Sequence, residues 1–198
     1  RSTLFPYTTL FRSRTGVSLN KCETGGPCGP WRISLGNGYT YRFPDARVHP
    51  LNKHGKPIKS RMAPIGVSGN GLRIAYLRAG NGRVIVRDLG GAAHEISDTG
   101  RVDNLWLSLD GARLAVGHGA GVRLYEVATG AHLGTLPRSE EFQGFSGDGG
   151  EVLTRSGEHT LHSRTLTGHE LARSKVNGDG PFALNADGVT VEIGRAHV

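Results

Sequence analysis

The sequence predicts an all-β fold made of repeated four-stranded antiparallel sheets, and three observations predict it. Glycine is abundant, 31 of 198 residues and without a collagen-like period, while apolar residues are only 36%. Many short strands joined by glycine turns give that balance; a helical bundle does not. One turn-centred pattern occurs four times, with Gly71, Gly111, Gly149 and Gly188 spaced 40, 38 and 39 residues apart. After each of the first three copies a second strand–turn–strand pattern follows before the next copy begins.

The first copy reads Val67-Ser68-Gly69-Asn70-Gly71-Leu72-Arg73-Ile74-Ala75-Tyr76 and the second Leu107-Ser108-Leu109-Asp110-Gly111-Ala112-Arg113-Leu114-Ala115-Val116. The third is Phe145-Ser146-Gly147-Asp148-Gly149-Gly150-Glu151-Val152-Leu153 and the fourth Leu184-Asn185-Ala186-Asp187-Gly188-Val189-Thr190-Val191. Each is a short apolar strand that ends in Ser or Asn, an Asn-Gly or Asp-Gly turn, and an apolar strand that resumes. Asn-Gly and Asp-Gly suit a turn needing positive φ. The pairs Asn70 and Gly71, Asp110 and Gly111, Asp148 and Gly149, and Asp187 and Gly188 are therefore structural turn formers. The second hairpins run Arg83–Leu89 to Ala93–Ile96, Gly121–Val127 to His132–Leu136, and Thr160–Leu166 to Glu170–Ala172. Four strands per repeat of this length describe one blade of a β-propeller, and the spacing places blades at 65–100, 101–138 and 139–175, with a partial one at 176–191. Propellers have roughly 4–8 blades, so the ring is expected to be incomplete in this chain.

The second copy carries a more specific likeness. Leu105-Trp106-Leu107-Ser108-Leu109-Asp110-Gly111-Ala112-Arg113-Leu114-Ala115-Val116, followed by Gly121-Val122-Arg123-Leu124-Tyr125-Glu126-Val127-Ala128-Thr129-Gly130, resembles a WD40 blade. Such a blade usually has Ser-Pro-Asp-Gly, then a strand ending in Trp-Asp and a Thr-Gly turn. Here Leu109 stands for the proline and Tyr125-Glu126 for Trp-Asp, and the opening Gly-His pair is absent from its usual place. The resemblance covers 65–191 and is closer to bacterial WD40-like and TolB-like blades, as in exported repeat proteins of high-GC Gram-positive bacteria. It implies a non-catalytic scaffold that binds a protein or polymer, secreted or on the cell surface, with a cytoplasmic location the alternative. The rival class is the propeller domain of a larger enzyme or sensor, a propeller-gated hydrolase or a receptor kinase, whose catalytic part lies outside this stretch.

Upstream, Trp31–Leu35, Gly36-Asn37-Gly38 and Tyr39–Phe43 read as a hairpin around an Asn-Gly turn, in an irregular β segment or first blade spanning 31–64. Pro44 and Pro50 exclude a central strand between them. Residues 14–30 read as a leader with two cysteines, Cys22 and Cys28, whose Gly-Gly-Pro spacer permits a small disulfide loop. Bridges persist in oxidising compartments, and two unrelated thiols are the other reading. Residues 1–13 and 192–198 resemble translated arms of a sequencing adapter and are set apart from the native 14–191.

Motifs for chemistry are weak. Gly66-Val67-Ser68-Gly69-Asn70 and Gly144-Phe145-Ser146-Gly147-Asp148 approach a nucleophile elbow but lack its last glycine and lie on repeat turns. Gly117-His118-Gly119-Ala120-Gly121 has neither the Lys-Ser/Thr nor the helix of a phosphate loop. His159 and His162, three apart in a strand region, point to opposite faces. No catalytic residue, metal ligand or cofactor site is expected. The net charge of +7 is modest. Its one concentration is Arg42, Arg47, Lys53, Lys56, Lys59 and Arg61, a candidate patch for an anionic partner. No nucleic-acid-binding motif accompanies it, and no apolar run approaches the roughly 20 residues that cross a bilayer. Trp106, Tyr125, Phe145 and Phe182 read as core.

Overall fold

A computed structural model describes residues 16–21, 26–119, 121–177, 182–185 and 191–193. Among them there are strands and turns and no helix. The strands are β1 (Gly16–Lys21), β2 (Pro27–Ser34), β3 (Thr40–Phe43), β4 (Ile65–Val67), β5 (Arg73–Leu77), β6 (Val84–Asp88) and β7 (Ala93–Ile96). They continue with β8 (Asn104–Leu107), β9 (Arg113–His118), β10 (Gly121–Glu126), β11 (His132–Thr135), β12 (Glu140–Phe145), β13 (Glu151–Ser156), β14 (Thr160–Thr165), β15 (Glu170–Lys175), β16 (Phe182–Leu184) and β17 (Val191–Ile193).

Every sheet is a meander of consecutive strands. β4–β7, β8–β11 and β12–β15 each form a four-stranded antiparallel sheet; β1–β3 make a three-stranded sheet before them and β16–β17 a pair after them. Among the described residues the first strands β4 and β8 approach one another, as do β12 and β16, in an arc of blades that does not close on itself. The stretch read from sequence as a leader supplies β1 and the start of β2, which pair from Gly16 opposite Ser34 to Lys21 opposite Pro27. Pro44 and Pro50 fall outside the strands, although Pro27 and Pro30 lie within β2.

The core lies between sheets rather than within them. On β5, Ile74 and Tyr76 face the preceding sheet and join Trp31, Ile33, Phe43, Ala46 and Ile85. Their neighbours Ala75 and Leu77 face forward and join Leu105, Leu114, Val116, Tyr125 and Val127. The alternation repeats on β9, where Ala115 packs forward with Val122, Leu124, Phe142, Phe145 and Val152. On β13, Leu153 packs forward with Leu161, Val176 and Leu184. Successive side chains of a strand point to opposite faces, and here both faces are covered. That is why β5 and β9 carry unbroken apolar runs, while β13 has only Val152 and Leu153 before Thr154. Tyr125 and Phe145 are buried as expected, whereas Trp106 and Phe182 are only partly covered.

Asp45 ties the irregular segment to this frame. Its Oδ2 accepts from Tyr76 Oη at 2.8 Å and from Arg87 Nη2 at 3.1 Å. Burial, reinforced by the bond to Asp45, pushes the Tyr76 phenol up to about 12.

Candidate functional site

The three repeat turns within the described residues are one device used three times. Ser68, Ser108 and Ser146 each donate Oγ–H to the turn Asx, to Asn70 at 2.7 Å, Asp110 at 2.6 Å and Asp148 at 2.7 Å. Each Oγ also accepts the backbone N–H that restarts the strand, from Arg73 at 2.9 Å, Arg113 at 3.0 Å and Glu151 at 2.9 Å. The same Asx oxygen takes the N–H two residues on, from Leu72, Ala112 and Gly150. Gly71, Gly111 and Gly149 then turn the chain at φ of 73°, 74° and 75°, where a side chain would be strained. The N–H of Gly150 and the Ser146 hydroxyl hold the Asp148 carboxyl below its usual range. Serine hydroxyls and turn carboxylates are thus consumed by the fold. Asp187 and Gly188 lie outside the described residues, as does Cys22; Cys28 sits opposite Asn20 in the β1–β2 pairing.

The third sheet contains a polar core network that sequence reading missed. Arg164 Nε donates to Glu140 Oε2 at 2.7 Å, its Nη2 donates to Glu140 Oε1 and to Glu170, and its Nη1 reaches the Gly168 carbonyl at 3.0 Å. Thr154 Oγ1 donates to the same Glu140 oxygen. His162 is bonded through Nδ1 to Glu170 Oε2 at 2.8 Å and through Nε2 to Ser156 Oγ at 2.7 Å. Its side chain is only 8% exposed, whereas His159, in the preceding turn, is 61% exposed. A serine, a histidine and a carboxylate in series have the connectivity of an activated nucleophile. Two clefts among the described residues, however, include neither Ser156 nor His162 in their linings. His162 and Arg164 stand two apart and so share one face of β14, but the strand, Thr160-Leu161-His162-Ser163-Arg164-Thr165, is mostly polar and gives no sign of which face is buried.

Those clefts meet on β8. The first, about 350 Å³, lies between the second and third four-stranded sheets and is lined by Trp106, Phe142, Asp103, Gly117, Arg138 and Glu141 among others. The second, about 390 Å³, is a groove between Pro64–Val67 and Asn104–Leu107. Asn104 and Trp106 border both. β4 and β8 lie side by side along the groove and are joined by backbone bonds at one end. Asn70 N–H donates to the Leu109 carbonyl at 2.8 Å, beyond which each strand has a partner on one side only. Glycines set the close approaches. A Cβ on Gly66 would sit 2.9 Å from the Leu105 carbonyl oxygen, and one on Gly117 3.0 Å from the Trp106 ring. Trp106 stands beside Phe142 with ring centroids 5.0 Å apart. At the rim, Asp103 accepts the Gly119 N–H at 2.8 Å and Arg101 Nε at 3.0 Å. The Gly119 bond, then Arg101, outweigh partial burial and lower its pKa. Among the described residues no group of His, Cys, Asp or Glu could hold a metal ion.

The basic residues read as one patch separate in the structure. Arg42 lies on β3 opposite Arg32, and Arg47 turns inward, donating to the Ala79 carbonyl at 3.2 Å and lying against Gly82. Lys53, Lys56, Lys59 and Arg61 remain together on the exposed loop between β3 and β4.

No known protein family matches the sequence, and no curated protein matches it. Solved structures do resemble it. Over 81% of this chain and 54% of the other, it superposes at a TM-score of 0.54 and 12% identity on KlAtg21, solved in complex with the coiled coil of AgAtg16. The fold is a β-propeller. Hsv2 from Kluyveromyces marxianus aligns over 76% of this chain and 52% of its own at 16% identity and a TM-score of 0.48. Hsv2 from Kluyveromyces lactis aligns over 78% and 48% at 15% identity and 0.45. The propeller chain described here therefore spans about half the length of these structures.

Proposed function

We propose that this propeller is a non-catalytic scaffold that holds an extended segment of a protein partner in the two clefts meeting at Asn104 and Trp106. The observation that carries the reading is the part-exposed Trp106 between a sheet-edge groove and an aromatic cleft with polar groups at its rim. Ligand sites are concave, largely apolar and oriented by a few polar groups, and tryptophan anchors dominate binding energy. The unpaired edges of β4 and β8 offer backbone donors and acceptors to an extended chain. The solved complex of KlAtg21 with a coiled coil is consistent with a protein partner. Panning a random peptide library against the chain tests this. Enriched peptides should lose about 2 kcal/mol, roughly thirtyfold in affinity, on Trp106→Ala. Peptides that bind the variant equally well would rule the clefts out.

In the finer form of this reading the protein is an exported one of bacterial WD40-like type, and Cys22 and Cys28 form a bridge suited to an oxidising compartment. Intact-mass measurement after alkylation, with and without reductant, checks the bridge. Two thiols that alkylate without reductant would reject it, and the argument for export with it. The alternative, a propeller domain of a larger enzyme or sensor, would place the same clefts in a gating or sensing role.

A further inference from the structure

We propose that the loop over residues 48–63 is a docking element for an anionic lipid bilayer. It is a built structure. Ala63 N–H donates to the Val48 carbonyl and Ile58 N–H to the Pro50 carbonyl, both at 2.8 Å, closing its base. Leu51 bridges to Pro57, and a first turn follows in which Asn52 Oδ1 accepts the N–H groups of His54 at 2.9 Å and Lys56 at 3.0 Å. A second turn is closed by Arg61 N–H on the Ile58 carbonyl at 3.0 Å. Lys53 and Lys56 stand on the first turn, Lys59 and Arg61 on the second, and all four are exposed.

Arg61 lies near the Asp103 carboxylate and helps to lower its pKa, but the charge of the three lysines is left uncompensated. No Asp or Glu occurs between Asp45 and Asp88. Arginines elsewhere have carboxylate partners, Arg73 with Asp88, Arg113 with Glu126 and Arg164 with Glu140. Among the described residues none of the three lysines makes an ion pair. Two apolar side chains flank them in the open, Leu51 at 38% and Met62 at 60% exposure. Lysine is depleted at protein interfaces, and the loop has no Phe, Tyr or Trp on which bases could stack. Lysines beside exposed aliphatic groups match the headgroup–acyl boundary of a membrane, where cations meet lipid phosphates and apolar groups enter beneath them. The proposal is independent of the clefts on β8.

The experiment is co-sedimentation of the whole chain with phosphatidylcholine vesicles, with and without phosphatidylserine. Binding should require phosphatidylserine and fall with salt. Each lysine near an anionic surface is worth about fivefold, so the combined variant K53Q/K56Q/K59Q should lower the partition coefficient about a hundredfold. Its thermal unfolding should be unchanged. Met62→Ser should weaken vesicle binding but leave retention on heparin, a polyanion without an apolar phase, untouched. Equal binding to neutral vesicles, an unaffected triple variant, or binding to serine-containing vesicles indifferent to Met62→Ser would each overturn the proposal. The last outcome would mark the loop as a general polyanion site.

Discussion

Replacing Arg164 with Met should destabilise the chain by about 3–5 kcal/mol, measured by urea unfolding, because it strands a buried carboxylate. The Glu140 side chain is 5% exposed and that of Arg164 10%. Without the guanidinium, Glu140 keeps only the Thr154 hydroxyl, and the Gly168 carbonyl loses its donor. Adding Glu140→Leu to the variant should restore most of the loss, since an apolar pair removes the unsatisfied charge. The pH dependence has a definite sign. Burial resists ionisation of Glu140, but hydrogen bonds from Arg164 and Thr154 outweigh it and lower its pKa. A carboxylate depressed in the folded state stabilises above its unfolded pKa of about 4.3 and loses that contribution as pH falls through the folded value. In the Arg164 variant the stranded carboxyl takes up its proton at higher pH. The gap between wild type and variant should therefore narrow from neutral to mildly acid solution. A gap constant over that range would mean that Glu140 does not depend on Arg164.

Gly134→Ala should cost on the order of 1–3 kcal/mol. A Cβ at Gly134 would stand 2.4 Å from the Leu166 carbonyl oxygen and 2.8 Å from Thr167 Cα, backbone atoms that move only with their strands. Here β11 crosses the β14–β15 turn, and Gly168 in turn lies near the Thr135 carbonyl, at 3.0 Å for a built Cβ. The sign is the informative part. Gly134 does not have a positive φ, so alanine in an open strand would gain roughly 0.5–1 kcal/mol from reduced backbone entropy. A stabilised variant in calorimetry would show that the outer strands of adjacent sheets do not meet there.

The turns were the legible part of this protein. Asn70-Gly71, Asp110-Gly111 and Asp148-Gly149 announce themselves because their dihedral and hydrogen-bond requirements are met within six residues of chain. The second hairpins were legible because each strand pair flanks a short turn that contains glycine, at Gly90-Gly91, Gly130 and Gly168. The first sheet was harder. β1 carries no turn signature of its own and joins β2 across a segment dominated by the cysteines, so it read as a leader. The network of Glu140, Arg164, His162 and Glu170 depends on registers across β12 to β15, which no single segment specifies. Trp106, read as core, does pack against the apolar layer beside Phe142 but is only partly covered, because its cover comes from neighbouring sheets and not from its own segment. The basic residues shared a stretch of sequence, but Arg47 found a carbonyl on a distant turn, which composition does not reveal.

Because each apolar layer is shared by two consecutive sheets, a sheet emerging from the ribosome has only its earlier face shielded. Its later face waits in water until the next repeat has been synthesised, as Ala75 and Leu77 wait for Leu105, Leu114 and Val116. Pauses in translation should therefore be safest just after a whole repeat has docked and most hazardous part-way through one. A chaperone acting on the nascent chain would meet the same kind of half-finished surface again and again, one repeat at a time.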